Sequence, residues 1–453
     1  MKRADPTSIL TRRQLLWRLG ALGVTATAAL TAACQQGTPA APAGGAQAGG
    51  APAGGAQKAP AKPASASGEL KVWMSGAPEL EQALTKILQE YKADKPNLTL
   101  NVENFPFNQY SQKLTTSFAG GTGPDVYWID VRAVEFAKRG ALLPLDPFVS
   151  KEYTDDLFPV TLEAGEWNGK RYAVPMHELA NGLFVNKAMF EKAGITVPRD
   201  LKDAWTWDQL REYSMKLAER SGGTTNVWGF GHLREPGDWT VLPFIHQNGG
   251  QPLSPDYKKA SGFLNAEPAV EALSWYGKLY TEDKVASASL PPDAFPTGKV
   301  AIFDAVSIYV VPLQRQHPNF QYEVAPAPKK KQMAVMTGGY NVGINPATKQ
   351  PQELCWDLID YMTRVKHAQW ALESGYLPAR KSVIEGTPMY KEHPWKLFLD
   401  ELAQAGIHRP ASTEYSFFFD TFGATVTDIV TGADVKASLD KAASVLDPRL
   451  AAA

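Results

Sequence analysis

Asn168-Gly169-Lys170-Arg171-Tyr172-Ala173-Val174-Pro175-Met176-His177-Glu178-Leu179-Ala180-Asn181-Gly182-Leu183-Phe184-Val185-Asn186 is the stretch whose reading decides the fold. It opens on Asn-Gly, which tolerates positive φ at both central positions of a tight turn and is the strongest hairpin signal in the chain. The return strand, Tyr172-Ala173-Val174, should end at Pro175, which has no N–H to give to a ladder. A polar interval, Met176 to Gly182, separates it from a second apolar run, Leu183-Phe184-Val185. Lys187 to Ala193 then reads as a helix, stopped by Gly194. A strand ends, the backbone crosses something, and a new strand begins. We read this as the passage from one α/β lobe to another, with His177, Glu178 and Asn181 facing the cleft between them.

Outward from this stretch, strand and helix patterns alternate. Glu69 to Met74 alternates as a strand, and Glu79 to Lys92 carries Leu80, Ala83, Leu84, Ile87, Leu88 and Tyr91 at helical spacing. Leu98 to Val102 is a strand, Gln109 to Phe118 a helix, Pro124 to Asp130 enters a buried strand and Val131 to Lys138 is a helix. Farther on, Trp207 to Arg220 reads as a helix, Val227 to Phe230 as a short strand and Val270 to Tyr280 as a helix. Lys299 to Phe303 is then a strand, Pro351 to Met362 and His367 to Glu373 are helices, and Val383 to Leu450 is mostly helical. This rhythm implies a largely parallel sheet, in which ligands sit off the carboxyl ends of the strands. The strand ends of the first half are Trp73 to Gly76, Asn104 to Asn108 and Ile129 to Arg132.

The first 34 residues read as an export address. Thr11-Arg12-Arg13-Gln14-Leu15-Leu16 precedes a mildly apolar run, Leu19 to Leu30, that closes on Thr31-Ala32-Ala33-Cys34. This resembles a twin-arginine signal joined to a bacterial lipoprotein cleavage box, with Thr31 where Leu is usual and Leu30 one residue early. Lipidation is expected on Cys34; the alternative is a plain signal peptide in which one of the chain's two cysteines falls there by chance. Gln35 to Gly68 is almost entirely Ala, Gly, Pro, Gln and Ser, too poor in apolar residues to fold. As a tether of about 34 residues its typical reach is roughly 30–35 Å.

About 385 residues remain, enough for two or three domain-sized units. The chain carries a formal charge of −1, and the leader before Cys34 holds a net +4, so the remainder is −5. A mildly acidic body gives no reason to expect nucleic-acid binding. Cys355 stands alone in that body, which excludes an internal disulfide, and its helical setting suits a buried small hydrophobe. Beyond the leader no apolar run is long enough to span a membrane.

Several motifs, in order along the chain, resemble the bacterial extracellular solute-binding proteins of the maltose-binding type. They are Trp73 with its loop, Ala119-Gly120-Gly121-Thr122-Gly123-Pro124-Asp125-Val126, Gly140 to Asp146, Gly169 to Pro175 and Phe184 to Phe190. Trp205-Thr206-Trp207-Asp208, Phe295 to Ile302, Gly338-Gly339-Tyr340 and Gly375 to Pro378 continue the series. The resemblance covers Leu70 to Leu446. It implies an α/β fold of the two-lobed periplasmic-binding-protein kind (type II-like). Each lobe would be a mixed, mostly parallel sheet flanked by helices. The chain would cross between lobes near Pro175 to Glu178, Gly338 to Val342 and Leu377 to Arg380. The expected division is a leader over 1–33, a linker over 34–68, a first lobe over 69–176 and 338–378, and a second lobe over 177–337 and 379–453. The family further implies a monomer that captures a solute and docks on an ABC permease, whose ATPase subunits are separate chains.

Sugars have flat apolar faces and a rim of hydroxyls, so a site for them needs aromatic platforms with carboxylates, amides and guanidinium groups around them. Trp73, Trp239, Tyr309, Tyr340 and Tyr376 are the stacking candidates, Tyr309 standing where the family often has Trp. Asn108, Asp130, Glu178, Asp304 and Arg380 are the rim candidates. Trp128, Trp228 and Trp356 sit in strand or helix patterns and are assigned to the core; Asp125, after Pro124, is assigned to holding backbone. Few cationic side chains can be placed in the cleft loops, which weighs against an anionic ligand. Mono-, di- and oligosaccharides and polyol phosphates all stay open. No catalytic residue, metal or cofactor is expected: His177-Glu178-Leu179-Ala180-Asn181 misses the zinc motif at its fifth position, and phosphate-binding, nucleophile-elbow and Cys-pair motifs are absent. The alternatives are a secreted glycosidase, whose paired carboxylates are a matter of distance in space, and a receptor feeding a membrane sensor.

Overall fold

A computed structural model describes residues 67–452. The leader with Cys34 and the linker up to residue 66 lie outside the described residues. The strands, in chain order, are β1 (Gly68–Met74), β2 (Leu98–Asn104), β3 (Val126–Ile129), β4 (Glu166–Trp167), β5 (Lys170–Arg171), β6 (Ala173–Pro175) and β7 (Leu179–Asn186). They continue as β8 (Glu219–Ser221), β9 (Thr224–His232), β10 (Val300–Val306), β11 (Tyr322–Ala325), β12 (Val335–Gly338), β13 (Asn341–Ile344) and β14 (Gly406–Ile407). One sheet has the order β2-β1-β3-β13-β6. A second has the order β14-β12-β7-β10-β9-β8, with β11 also pairing β7.

The Asn168-Gly169 turn forms as its chemistry requires. Both residues have positive φ, 49° and 70°, and they join β4 to β5. The returning arm is Lys170–Arg171; Ala173–Pro175 is a separate strand at the edge of the first sheet, where the missing N–H of Pro175 costs no ladder bond. The next strand, β7, starts at Leu179, earlier than the apolar run suggested, because Asn181 and Gly182 pair with β10. It is the axis of the second sheet. Its side chains alternate between two cores: Leu183 and Val185 join one cluster, Ala180 and Phe184 another.

The helices form where apolar periodicity meets a start signal. Pro78–Ala93 begins on Pro78 with Glu79 and Glu81 in its first turn, and buries Leu80, Ala83, Leu84, Ile87, Leu88 and Tyr91. Trp207–Leu217 is opened by a capping box between Thr206 and Gln209. That helix is shorter than the sequence suggested. Gly222 and Gly223, both at positive φ, fold Glu219–Ser221 and Thr224–His232 into a hairpin, so Arg220 lies in a strand. The core assignments of Trp128, Trp356 and Cys355 hold, as all three are buried. Asp125 accepts the Lys71 N–H at 2.8 Å and the Thr348 hydroxyl.

Strand direction needs correction. In the first sheet β1 runs parallel to β2 and β3, but β13 is antiparallel to both β3 and β6. In the second, only β9 with β10 and β12 with β14 are parallel, while β7 is antiparallel to β10, β11 and β12. The sheets are mixed rather than mostly parallel. The reason is topological: β7 and β13 arrive directly from the other sheet, without the crossover helix that parallel pairing needs.

Those direct arrivals lie side by side. The chain leaves β6 for β7 through Met176 to Glu178, and leaves β12 for β13 through Gly339 and Tyr340. Met176 N–H donates to Tyr340 O at 2.8 Å, and Glu178 N–H to Leu377 O at 2.9 Å. The approach is close enough to demand glycine: a Cβ on Gly339 would stand 2.0 Å from the His177 carbonyl oxygen, and Gly338 has φ +137°. Aromatic rings wrap the crossing strands. His177 stacks on Trp370 with centroids 5.8 Å apart and meets Tyr376 edge-on at 4.5 Å.

Candidate ligand-binding cleft

The carboxyl ends of β1, β2 and β3 face the carboxyl end of β9 and the crossing strands. The loop after β9 closes the gap, with the Arg234 guanidinium 4.9 Å from the centre of the Phe107 ring at the start of the helix that follows β2. Here Asp130, just past β3, meets two arginines. Its Oδ2 lies 2.6 Å from Arg132 Nη1 and 3.2 Å from Arg409 Nη1, and its Oδ1 accepts the Arg132 backbone N–H. Burial works to raise the Asp130 carboxyl, but Arg132 and Arg409 outweigh it and hold the group below the usual carboxylate range. Burial likewise opposes the Arg409 charge, while Tyr415, Asp130 and Asp238 reverse the balance and hold it above the usual arginine range. The Tyr415 hydroxyl donates to Asp238, which opens the helix Asp238–Gln247.

Trp239, the next residue, is oriented from two sides. Arg409 lies over its ring at 5.1 Å. Its Nε1–H donates to the Asn181 side-chain oxygen, and Asn181 Nδ2 donates in turn to Asp304 Oδ1 at 2.9 Å. Asp304 Oδ2 faces His232 Nδ1 at 3.0 Å, and His232 Nε2 faces the Tyr276 hydroxyl at 2.8 Å, itself 2.8 Å from that of Tyr280. This buried relay fixes the indole with little freedom to reorient. Each oxygen of Asp304 thus has a partner, and the carboxylate holds Asn181 and, through it, the Trp239 indole.

Glu178 lies in the crossing itself, 2 % exposed. Burial pushes its carboxyl up to about 8, with Arg409 and the Gly338 backbone N–H pulling weakly the other way, and its Oε2 has no partner among the described residues. At neutral pH it is mostly the protonated acid. His177 beside it is pushed down to about 3 by burial and by His367, so that ring is neutral.

The remaining sequence candidates divide. Trp73 is buried, donates from Nε1 to Glu103 at 2.9 Å and meets Phe105 edge-on. The Tyr110 hydroxyl lies 2.9 Å from both the Trp73 and Trp128 carbonyls and ties the ends of β1 and β3 together. Tyr340 is half-buried beside Trp128, Tyr110 and His177. Tyr376, buried, joins the same ring cluster through His177 and Trp370. Tyr309 packs among Phe184, Phe295 and Phe303, in a core distinct from the one that holds Trp239. Arg380 turns into the protein: its Nε donates to the Thr363 carbonyl, its Nη1 meets Asp156 at 3.1 Å, and its guanidinium covers Tyr153 at 4.2 Å. The backbone of Asn108 is helical, and its side chain lies outside the described residues. Two cavities have volumes of about 330 and 350 Å³: the first, lined by Glu163, His246, Tyr257 and His408, borders this cluster through His408, the chain neighbour of Arg409, and the second is lined by His317, Phe320, Tyr322 and His393.

Arg234, Asp238, Arg409 and Tyr415 escaped the sequence reading, and Arg132 entered it only as the last residue of the strand-end stretch Ile129 to Arg132. Asp238 alone carried a local signal, as an acidic residue opening a helix. Arg409 comes from the far end of the chain, in a loop marked only by Pro410, and Tyr415 opens the helix that follows that loop.

The family model for bacterial extracellular solute-binding proteins matches residues 77–369. The multiple sugar-binding protein of Streptococcus mutans is 24% identical over 333 residues, which cover 68% of this chain and 74% of that protein. An ABC substrate-binding protein from Listeria monocytogenes, solved in complex with cycloalternan, superposes with a TM-score of 0.75 at 22% identity, over 84% of this chain and 98% of its own. An ABC transporter solute-binding protein from Thermotoga lettingae, bound with α-D-tagatose, does so at 0.74 and 22%, over 85% and 100%. These structures share the two-lobed α/β fold. The chain belongs to the bacterial extracellular solute-binding protein family.

Proposed function

We propose that this protein is the substrate-binding component of an ABC import system. It captures a carbohydrate between its two halves and delivers it to a membrane permease. The observation that carries this reading is the meeting of the two sheets' strand ends around a rigidly held indole, Trp239, with Tyr340 and a set of charged groups beside it. Such an aromatic surface with a polar rim is what a sugar ring needs. The names of the relatives support it: one is a sugar-binding protein, and the Listeria and Thermotoga proteins hold carbohydrates.

In this reading the first lobe is built on β1 to β6 and β13, the second on β7 to β12 and β14. Residues 69–176 and 338–378 form the first, and 177–337 and 379–453 the second. Trp239, Tyr340, Tyr376 and Trp73 supply the faces; Asp130, Asn108, Glu178 and Asp304 act at or behind the rim. Tyr309 and Arg380 brace the walls. A ligand that bridges the lobes favours the closed arrangement, because only there are both sets of contacts made. The chain works by binding, without covalent chemistry, as an exported monomer. A lipid on Cys34 holds it to the outer face of the membrane through the Ala/Gly/Pro tether.

A thermal-shift screen of the full chain against neutral mono- to pentasaccharides tests this. A ligand at 100 times its dissociation constant should add about 2.7 kcal/mol of stability. Reducing ends appearing during incubation with an oligosaccharide would overturn the binding-only reading in favour of a glycosidase.

A further inference from the structure

The charges in the cleft do not balance. Arg132 and Arg409 meet Asp130, and Asp238 lies against Tyr415 and within the field of Arg409. Asp304 is taken up by His232 and Asn181. On the first-sheet side Lys113, over the Trp73 ring at 5.2 Å, is offset by Glu103 on the same indole. Glu79 pairs with Arg315. Arg234 is left over. It is exposed, on the loop between β9 and the helix that begins at Asp238, and it makes no ion pair among the described residues, Glu235 next to it included. Its guanidinium rests on Phe107 from the opposite sheet's side, so it stands where the two halves meet. A second donor points the same way: Arg409 Nε is buried and has no acceptor among the described residues. An unmet buried guanidinium N–H is costly to keep, and an anion is what it fits best. Although solvent reaches Arg234, protein atoms crowd much of its guanidinium, and this together with the like charge of Arg409 holds it below the usual arginine range; a bound anion relieves the repulsion between the two.

We infer that the cleft takes a sugar carrying a negative charge, a carboxylate or a phosphate ester, whose anionic group docks on Arg234 with Arg409 behind it while its ring rests on Trp239 and Tyr340. The inference rests on the carbohydrate reading above and narrows it. It reverses the expectation from sequence that the cleft lacks cations for such a ligand. Arginine suits the task because its planar fork matches both carboxylate and phosphate.

The test is calorimetric titration of the full chain, at low and at high salt, with a matched panel of maltose, digalacturonate, glucose 6-phosphate and glycerol 3-phosphate. The expected result is that an anionic member binds at least about tenfold more tightly than maltose, the gap narrowing in salt. Uronate or phosphate as the winner identifies the source of the charge. R234Q should lower that affinity about tenfold to a hundredfold, and R234K should recover part of it by keeping the charge without the fork; melting curves of both variants confirm that they fold. Maltose binding as tightly as the anions, or an R234Q variant that keeps the anionic preference, overturns the anionic assignment and leaves the carbohydrate reading standing. Binding of glycerol 3-phosphate alone, or of no member of the panel, overturns both.

Discussion

Two buried carboxyl groups frame the cleft, and they end in opposite states. Asp130, at the end of β3, is 5 % exposed and held as the anion; Glu178, in the crossing to β7, is 2 % exposed and held mostly as the acid. The cost of burial has the same sign at both sites. What differs is company. Asp130 has two guanidinium groups within 3.2 Å, whereas Glu178 has the field of Arg409 at longer range and one backbone N–H. Proximity of a partner, more than degree of burial, decides which carboxyl keeps its charge. The first region is thereby a charged clamp that joins the end of β3 to the start of the penultimate helix, Tyr415–Val430. The second is a neutral, aromatic-lined joint where strands pass at backbone contact.

The largest break in this contrast should come from Arg409→Met. It leaves Asp130 with Arg132 alone and Asp238 without its cation, inside a buried cluster, and should destabilise the fold by about 3–5 kcal/mol. Urea denaturation measures this; a loss below about 1 kcal/mol would show that the clamp is not held by charge. Glu178→Gln sharpens the contrast through pH. A carboxyl raised from 4.5 to about 8 on folding favours the folded state fully below pH 4.5 and loses that contribution as pH rises toward 8. Glutamine abolishes the loss, so the variant should gain on the wild type by up to about 1.4 kcal/mol per pH unit across that window. Parallel melting curves for the two proteins from pH 5 to 8 would contradict a protonated Glu178. The neighbouring imidazoles act with the other sign. His177 and His367, pushed down from 6.5 to about 3 by burial, lend stability above pH 6.5 that is lost as pH falls toward 3. His177→Phe should therefore flatten the acid side of the wild-type profile, seen in the same pH series. Trp239→Ala gives the smallest expected effect, a loss of about 1–3 kcal/mol in ligand affinity. Unchanged affinity by calorimetry would return the indole to the core.

Much of the frame was legible because it depends on local chemistry. The Asn168-Gly169 turn, the buried face of Pro78–Ala93 and the cap before Trp207 are set by φ preferences, periodicity and side-chain hydrogen bonds within a few residues. Trp239 was named from the sequence as a stacking candidate in a cleft loop, and its hold by Asn181 and Arg409 emerged only in the fold. Arg380 was misleading for the complementary reason. It sits beside a crossing in the chain, yet Asp156, Tyr153 and Thr363 draw its side chain inward.

The sequence by itself determined the α/β alternation, the point where the chain passes between sheets, and the residue types a sugar site needs. Each of these is written in contiguous residues. Only the tertiary structure decided strand direction in the second sheet, the charge of Glu178 against that of Asp130, and the surplus cation at Arg234. Those follow from which distant segments meet: Arg409 and Tyr415 reach Asp130 from the last fifth of the chain, and Phe107 meets Arg234 across two sheets. A carboxyl's charge is set by what stands within a few ångströms of it, and no spacing along the chain encodes that neighbourhood.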